Sequence, residues 1–308
     1  MSHRSTINRN DTREAEATIT GGVLPLAAGD PERRSAYRKI AIFLVLVTAF
    51  AGALDVLRVL VPFGTNLIVL TWTPRLADAL AMWSVGLAGM IALAVTDRSL
   101  VDIGLRLGPP KYLFLALAIP ITYCAAIYVP VWVLGLGRFA GTAALWTAMQ
   151  STLLHLPLRL LVAAGEEFGW RGVLVPNLAR TVDIKLVAFL PGAIWALWHY
   201  PDILFFDYNV GTLPIFALTC FSVSLLGAGA FLSWLRLASN SVWPAVLFHA
   251  VHNSVISGIF DRVTEHNAMT FYFTTEFGAG LAIAGAIIGY VFWSNCHRRI
   301  VWAKAFKR

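Results

Sequence analysis

Charge is scarce in this chain. Of its 308 residues, 13% are Asp, Glu, Lys or Arg and 58% are hydrophobic, whereas a soluble domain carries about 25% charge. A soluble globular domain is therefore a poor reading, and an integral membrane protein is the better one. Cysteine is also scarce. Cys124, Cys220 and Cys296 each stand alone in or at the end of an apolar run. They form no CxxC pair and no ligand cluster, so we expect buried thiols. No long apolar stretch occurs in residues 1 to 37, which are polar and read as no signal peptide. No internal repeat or low-complexity tract is visible. The net charge of +7 comes largely from the two ends of the chain, with Arg33, Arg34, Arg38 and Lys39 at one and Arg298, Arg299, Lys304, Lys307 and Arg308 at the other. No soluble domain lies between them to shape a basic face, so nucleic acid is not an expected partner. Juxtamembrane anchoring on the cytoplasmic side fits better.

Long apolar runs, in contrast, are plentiful. Eight are found near 40–61, 76–95, 111–136, 146–166, 186–200, 212–235, 243–260 and 277–296. A membrane helix needs about 20 such residues, so the fifth and seventh are short and are expected to be tilted or buried among others. Eleven tryptophans suit membrane interfaces. The expected fold is all-α, a polytopic transmembrane helical bundle of about eight spans. Residues 1–39 are expected to form a disordered cytoplasmic tail. Residues 40–296 form the bundle, with a polar motif core at 146–260, and 297–308 form a basic cytoplasmic tail. The connection at 96–111 holds Arg98, Arg106 and Lys111, and that at 171–185 holds Arg171, Arg180 and Lys185. The odd connections hold single arginines such as Arg75, Arg138 and Arg262. This asymmetry agrees with an even number of spans and cytoplasmic termini, in a multi-pass protein of the plasma membrane.

Polar residues inside the apolar runs require explanation, because a charge at the centre of a membrane helix costs about 2.5–3.5 kcal/mol on insertion scales. In "AAGEEFGWRG", Glu167 and Arg171 are four apart and share a helix face, which suits a neutralised structural ion pair. Glu166 lies roughly 100° away around the helix, beyond easy reach of the same arginine. A carboxylate left in low dielectric beside a like charge is suited to taking a proton from water, although a solvated helix-end glutamate is the plainer alternative. "AIWALWHYP" places His199 one turn after Trp195, and "WPAVLFHAVHNSV" places His249, His252 and Asn253 within five residues. Interhelical hydrogen bonding is the plain reading of that group. Jointly, one unpaired glutamate, histidines on two helices and an asparagine can position and deprotonate a water and stabilise an oxyanion. They can equally ligate a divalent metal with an open position. The pattern is not HExxH. Asp55 with Arg58, and His155 with Arg159, are spaced to face one another, whereas Asp202, Asp207 and Glu276 fall at segment ends where solvation is cheap.

Three motifs then coincide. "EEFGWR" resembles the EExxxR motif of the CPBP family, intramembrane proteases related to the type II CAAX prenyl endopeptidases and including bacterial Abi and bacteriocin-processing proteins. "WALWH" resembles that family's FxxxH, with Trp195 in place of Phe, and "HAVHN" resembles its HxxxN. The motifs occur in the family's order over 166–253. The resemblance implies a bundle with a polar cavity. In it Glu166 is the general base, His199 positions the water, and His249 and Asn253 stabilise the oxyanion, while Glu167 and Arg171 are structural. It leaves two options for the cofactor: a divalent metal such as zinc on Glu166, His199 and His249, or a glutamate mechanism without metal. The implied partners are a peptide or protein substrate at the membrane, prenylated CAAX proteins among them, and the lipid bilayer. A non-enzymatic immunity or scaffold protein of this fold, and a proton-coupled transporter, are the alternatives. The transporter lacks a visible inverted repeat. For Glu166 and His199 to meet at one depth, the fourth helix must continue to about 178 or the fifth must be re-entrant or tilted.

Overall fold

Lipid offers no hydrogen bonds to a backbone, so an apolar run of this length is driven to bond internally as a helix. The computed structural model describes residues 25–60, 67–97, 99–206, 208–209 and 211–299, and of residues 67–78 and 295–299 the backbone alone. The expected tails over 1–24 and beyond 299, together with Arg98 and Asp207, lie outside the described residues, as do the side chains of Arg75, Cys296, Arg298 and Arg299.

The helices are α1 (Pro31–Leu60), α2 (Leu67–Thr96), α3 (Pro110–Val133), α4 (Thr142–Glu167), α5 (Val175–Thr181), α6 (Ile184–Phe205), α7 (Pro214–Ser239), α8 (Trp243–Val255) and α9 (Ala279–Arg299). Proline opens α3 and α7, where its missing N–H is not needed. Asp183 caps α6 by accepting from the Lys185 backbone N–H at 2.8 Å. Two stretches wind more widely as π-helical turns: Phe168–Leu174 joins α4 to α5, and Ile256–Phe260 extends α8. Among the described residues the bundle therefore has eight rods. Strand structure there is one two-residue antiparallel ladder, β1 (Arg138–Phe139) with β2 (Thr264–Glu265).

Several boundaries differ from the expected ones. Residues 31–39 belong to α1 and not to a tail, because the charged residues there form the first turns of a helix that continues into lipid. The last helix runs on past 296 to Arg299. The fourth rod does not stop at 166 but continues without a break to Thr181.

This is a membrane bundle. The helices spanning Pro31–Leu60, Ala79–Thr96, Pro110–Val133 and Pro214–Ser239 are each long and apolar enough to cross a membrane. Large apolar side chains point outward from the bundle: Val133, Leu154 and Ile215 are each more than 70% exposed, a pattern that suits lipid and not water. The rods approach closely through small residues. Gly169 lies so near α2 that a Cβ there would sit 2.5 Å from the Val85 carbonyl oxygen, and Gly192 stands equally close to the Leu225 oxygen of α7. These contacts hold the rod α4–α5 against α2, and α6 against α7.

The two ends of the bundle are built differently. At the end where α1 begins, Lys39 pairs with Asp97 and reaches Asp102, while Arg180 bonds Asp102 at 3.0 Å. Arg33 donates to the Thr181 carbonyl there at 3.0 Å. At the other end, Arg58 bonds Asp202 as well as facing Asp55 at 3.7 Å. There too the Tyr128 hydroxyl donates to Asp261, and Trp132 stacks on Phe260.

Candidate active site

The two glutamates lie on the last turn of α4, and both are fully buried with Arg171. Each has its own partner one turn on. Arg171 Nη1 bonds Glu167 Oε1 at 2.9 Å, and Trp170 Nε1 donates to Glu166 Oε2 at 3.3 Å. The same Glu166 oxygen receives a shorter bond, 2.7 Å, from Trp195 Nε1 on α6. The other oxygen, Oε1, is buried and has no hydrogen-bond partner. Glu166 is thus anchored by two neutral indoles and carries no ion pair among the described residues.

Glu167 is engaged twice. Its Oε1 also meets His249 Nδ1 on α8 at 3.0 Å. The Trp195 ring ties the group together. Arg171 sits 4.4 Å from its centroid and the His249 ring is 5.4 Å away, a cation–π and aromatic arrangement that holds the guanidinium without a second carboxylate.

His199 comes from α6, one turn after Trp195. Glu166 is fifteen residues before the end of the rod at Thr181, and His199 is fifteen residues after α6 starts at Ile184. Across the short connection between the two helices, equal counts place both groups at one depth, about 22 Å from the turn at 1.5 Å per residue. No re-entrant segment is needed, because the rod continues through the motif. His199 is packed among rings: Trp198 at 4.7 Å, Phe221 at 5.2 Å and Tyr208 stacked at 5.8 Å. Among the described residues, nothing hydrogen-bonds its nitrogens. Tyr208 in turn donates to Glu276 Oε2 at 2.6 Å. Burial pushes the Glu276 carboxyl above its ordinary range, so this acid is not simply solvated at a segment end.

The other two polar residues of "HAVHN" diverge. The His252 ring bonds the Tyr123 hydroxyl on α3. The Asn253 side chain is partly exposed. Its backbone oxygen accepts from Arg159 Nη1 at 3.0 Å and from Ser257 Oγ at 2.7 Å. Thus Glu166, Glu167, Arg171 and His249 form one contiguous group. His199 joins it through the Trp195 ring, 6.3 Å away, and Asn253 is one helical turn beyond His249 on α8. For a metal, the geometry is less favourable. Among the described residues no three His, Cys, Asp or Glu side chains converge as a ligand set. In this arrangement His249 Nδ1 is taken by Glu167, which leaves Nε2 as the ring nitrogen that a metal could use.

The π-helical turns explain part of the local build. In Phe168–Leu174 the Val175 N–H reaches back five residues to the Trp170 oxygen. The donor for the Arg171 oxygen in that register is Pro176, which has no N–H. Arg236 Nε of α7 supplies the bond at 3.0 Å, and its Nη2 holds the Asp102 oxygen at 2.8 Å. Sequence reading missed the indole donors Trp170 and Trp195, the Tyr208–Glu276 pair and the Arg236 and Arg159 bonds. The replacement of Phe by Trp195 was the visible signal for the first of these. The others lie on separate helices with no shared spacing to betray them.

Comparison with known proteins converges on the same segment. Residues 148–255 match the Rce1-like family, described as type II CAAX prenyl endopeptidase Rce1-like. A curated relative, CAAX prenyl protease 2 of Methanococcus maripaludis, is 32% identical over 100 residues, covering 31% of this chain. The chain spans about a third of that relative's length, 37%.

Proposed function

Because residues 148–255 of this chain match the Rce1-like family of type II CAAX prenyl endopeptidases, we propose that it hydrolyses a peptide bond in a membrane-associated protein of CAAX type. The observation that carries the reading is the unequal treatment of the two glutamates. Each has one oxygen bonded twice and the other unpartnered, but Glu167 is bonded to Arg171 and His249, whereas Glu166 is bonded to two neutral indoles. Of the two, the carboxylate that no cation bonds is the one suited to take a proton from a water beside its free oxygen.

In this mechanism the free Oε1 of Glu166 accepts the proton as the water attacks the scissile carbonyl. His199, held rigidly among rings, orients that water. His249 is fixed through Nδ1 by Glu167 and, as an imidazolium, offers Nε2–H to the oxyanion. Asn253 is the second donor. With His249 charged, two carboxylates face two cations, and the buried group is neutral before the reaction. Glu166 then passes its proton to the leaving amine. A divalent metal, were one to bind, would polarise the carbonyl or the water. The residues as arranged do not form its ligand set, and no step here depends on one.

The test uses purified protein in lipid, with farnesylated and unmodified peptides and products read by mass spectrometry. Wild type is expected to cleave and Glu166→Gln to show no cleavage while still inserting. Cleavage by the variant at the wild-type rate would remove Glu166 from the mechanism. Parallel reactions with a chelator measure any metal requirement.

A further inference from the structure

Helices α6, α7 and α9 meet closely because their facing residues are small. A Cβ on Gly285 would sit 2.7 Å from the Ser224 Cα, and one on Gly289 would sit 3.0 Å from the Gly227 Cα. The spacing "GAIIG" over 285–289 is of the kind that joins two membrane helices. Here it is used within the chain, to seat α9 on α7. Beside that contact the small side chains leave an open trough of about 280 Å³. Ala188 of α6, Ala230 of α7 and Ala286 of α9 line it, together with the exposed rings of Phe189 and Tyr290. Apart from the Tyr290 hydroxyl and the Trp293 indole N–H, its lining side chains are apolar.

The length and placement of the trough are specific. Along α9 it extends from Gly285 to Trp293, eight residues or about 12 Å. Half of a hydrocarbon core of about 30 Å is about 15 Å, so the trough has nearly the depth of one leaflet. One end lies at the membrane boundary. Lys185, the second residue of α6, stands there with its Nζ 5.2 Å from the centroid of the Trp293 ring, and tryptophan is at home at that level. Lys185 is exposed and makes no ion pair among the described residues. The nearby Asp183 carboxylate caps α6, accepting from the Lys185 backbone N–H at 2.8 Å. Past Trp293 the sequence adds His297, Arg298, Arg299, Lys304, Lys307 and Arg308, and no acidic residue. An apolar trough of leaflet depth with a cation at its boundary end is complementary to an alkyl chain that carries an anionic head.

We propose that this trough binds one anionic phospholipid, with an acyl chain along Gly285–Trp293 and the phosphate on Lys185. Basic pockets between transmembrane helices hold such headgroups, and the indole under Lys185 keeps its ammonium at the mouth. The site is separate from the glutamate centre. None of the lining residues belongs to that centre, and Lys185 precedes His199 on α6 by fourteen residues, about 21 Å. The proposal does not depend on the peptidase reading.

The test counts bound lipid by native mass spectrometry. Full-length protein is stripped of lipid in detergent and titrated with phosphatidylglycerol or phosphatidylcholine of identical acyl chains. Wild type is expected to take up one tight phosphatidylglycerol per chain. The preference over phosphatidylcholine should be about fivefold or more, the contribution of one basic residue near an anionic surface. Lys185→Gln should abolish the preference and leave weak binding of both lipids. Ala286→Phe should weaken both lipids together, because it fills the trough from an exposed position, whereas the helix contact is made by Gly285 and Gly289. Equal affinity of wild type for the two lipids, a preference that survives Lys185→Gln, or binding unchanged by Ala286→Phe overturns the proposal. Uptake of many lipids with no tight first one overturns it too. Displacement of phosphatidylglycerol by farnesol would give the trough to a prenyl chain, and a dimer lost in Ala286→Phe would give it to a second copy. Either result also overturns the proposal. No arm of the test reads cleavage, so the peptidase reading stands or falls separately.

Discussion

Glu166 and Glu167 are neighbours with the same burial, yet they are held in opposite ways, and this difference is measurable. Removing one partner of a buried ion pair leaves the other charge uncompensated, at a cost of roughly 3–5 kcal/mol. Glu167→Gln strands Arg171, which has no other carboxylate bond in the group. Thermal unfolding in detergent is therefore expected to show a large loss for Glu167→Gln. Glu166→Gln removes a charge that no cation bonds directly, so its melting temperature should fall by much less than that of Glu167→Gln. Equal destabilisation by both would mean that the pairing does not govern stability. Trp195 gives a finer probe. Trp195→Phe keeps a ring beneath Arg171 but removes the 2.7 Å bond to Glu166. A hydrogen bond to a charged group contributes about 1.5–3 kcal/mol. We expect kcat to fall by about tenfold or more with KM nearly unchanged, as read in steady-state peptide cleavage. A variant that raised KM alone would place Trp195 in substrate binding instead.

Helices were the most legible level of this molecule, and their ends the least. Each of the eight apolar runs became a rod because lipid leaves the backbone no alternative. The fourth run was cut at 166 because "EEFGWRG" reads as polar chain leaving the membrane. The helix in fact continues there in π register, with Arg236 from α7 supplying a bond that Pro176 cannot. Hydropathy along one segment contains no trace of an arginine more than sixty positions away. The bond of His249 to Glu167 had no signal in the sequence, since which of two adjacent residues faces a second helix depends on how the rods cross. Asp202 and Glu276, taken for solvated segment ends, bond Arg58 and Tyr208. Close packing offers a test at this scale. Gly169→Ala would drive a Cβ to 2.5 Å from the Val85 backbone oxygen, and backbone cannot step aside as a flexible side chain does. Overpacking of this kind costs about 1–3 kcal/mol. The variant is expected to melt lower and to lose activity, because the rod that separates from α2 is the one carrying both glutamates. Unchanged melting and cleavage would show that α2 is not a support for the site.

Across the whole molecule, the site is not midway between the two ends. His199 is six residues from the end of α6 at Phe205, about 9 Å, and fifteen residues, about 22 Å, from its start at Ile184. The near end is the one carrying the β1–β2 ladder and Glu276. The far end carries the start of α1 and the network of Lys39, Asp97, Asp102 and Arg180. Basic residues crowd that far end, with Arg33, Arg34, Arg38, Arg106, Lys111 and Lys185 near it, whereas Arg58, Arg138 and Arg262 stand at the other. From the bias of Lys and Arg toward the cytoplasm, the far end is expected on the cytoplasmic side, which would bring the site closer to the opposite face. The two faces can be told apart by single cysteines at exposed loop positions, in a chain whose native cysteines are replaced by alanine. In intact cells, Arg138→Cys is expected to react with a membrane-impermeant maleimide, and Arg106→Cys only after permeabilisation. The reverse pattern would turn the site toward the cytoplasm, where a prenylated cytoplasmic protein is the substrate to try first. The expected pattern would direct the search to chain ends presented on the outer face. Labelling of both positions from one side would contradict the eight-rod bundle, because α3 runs between the two loops and must carry them to opposite faces.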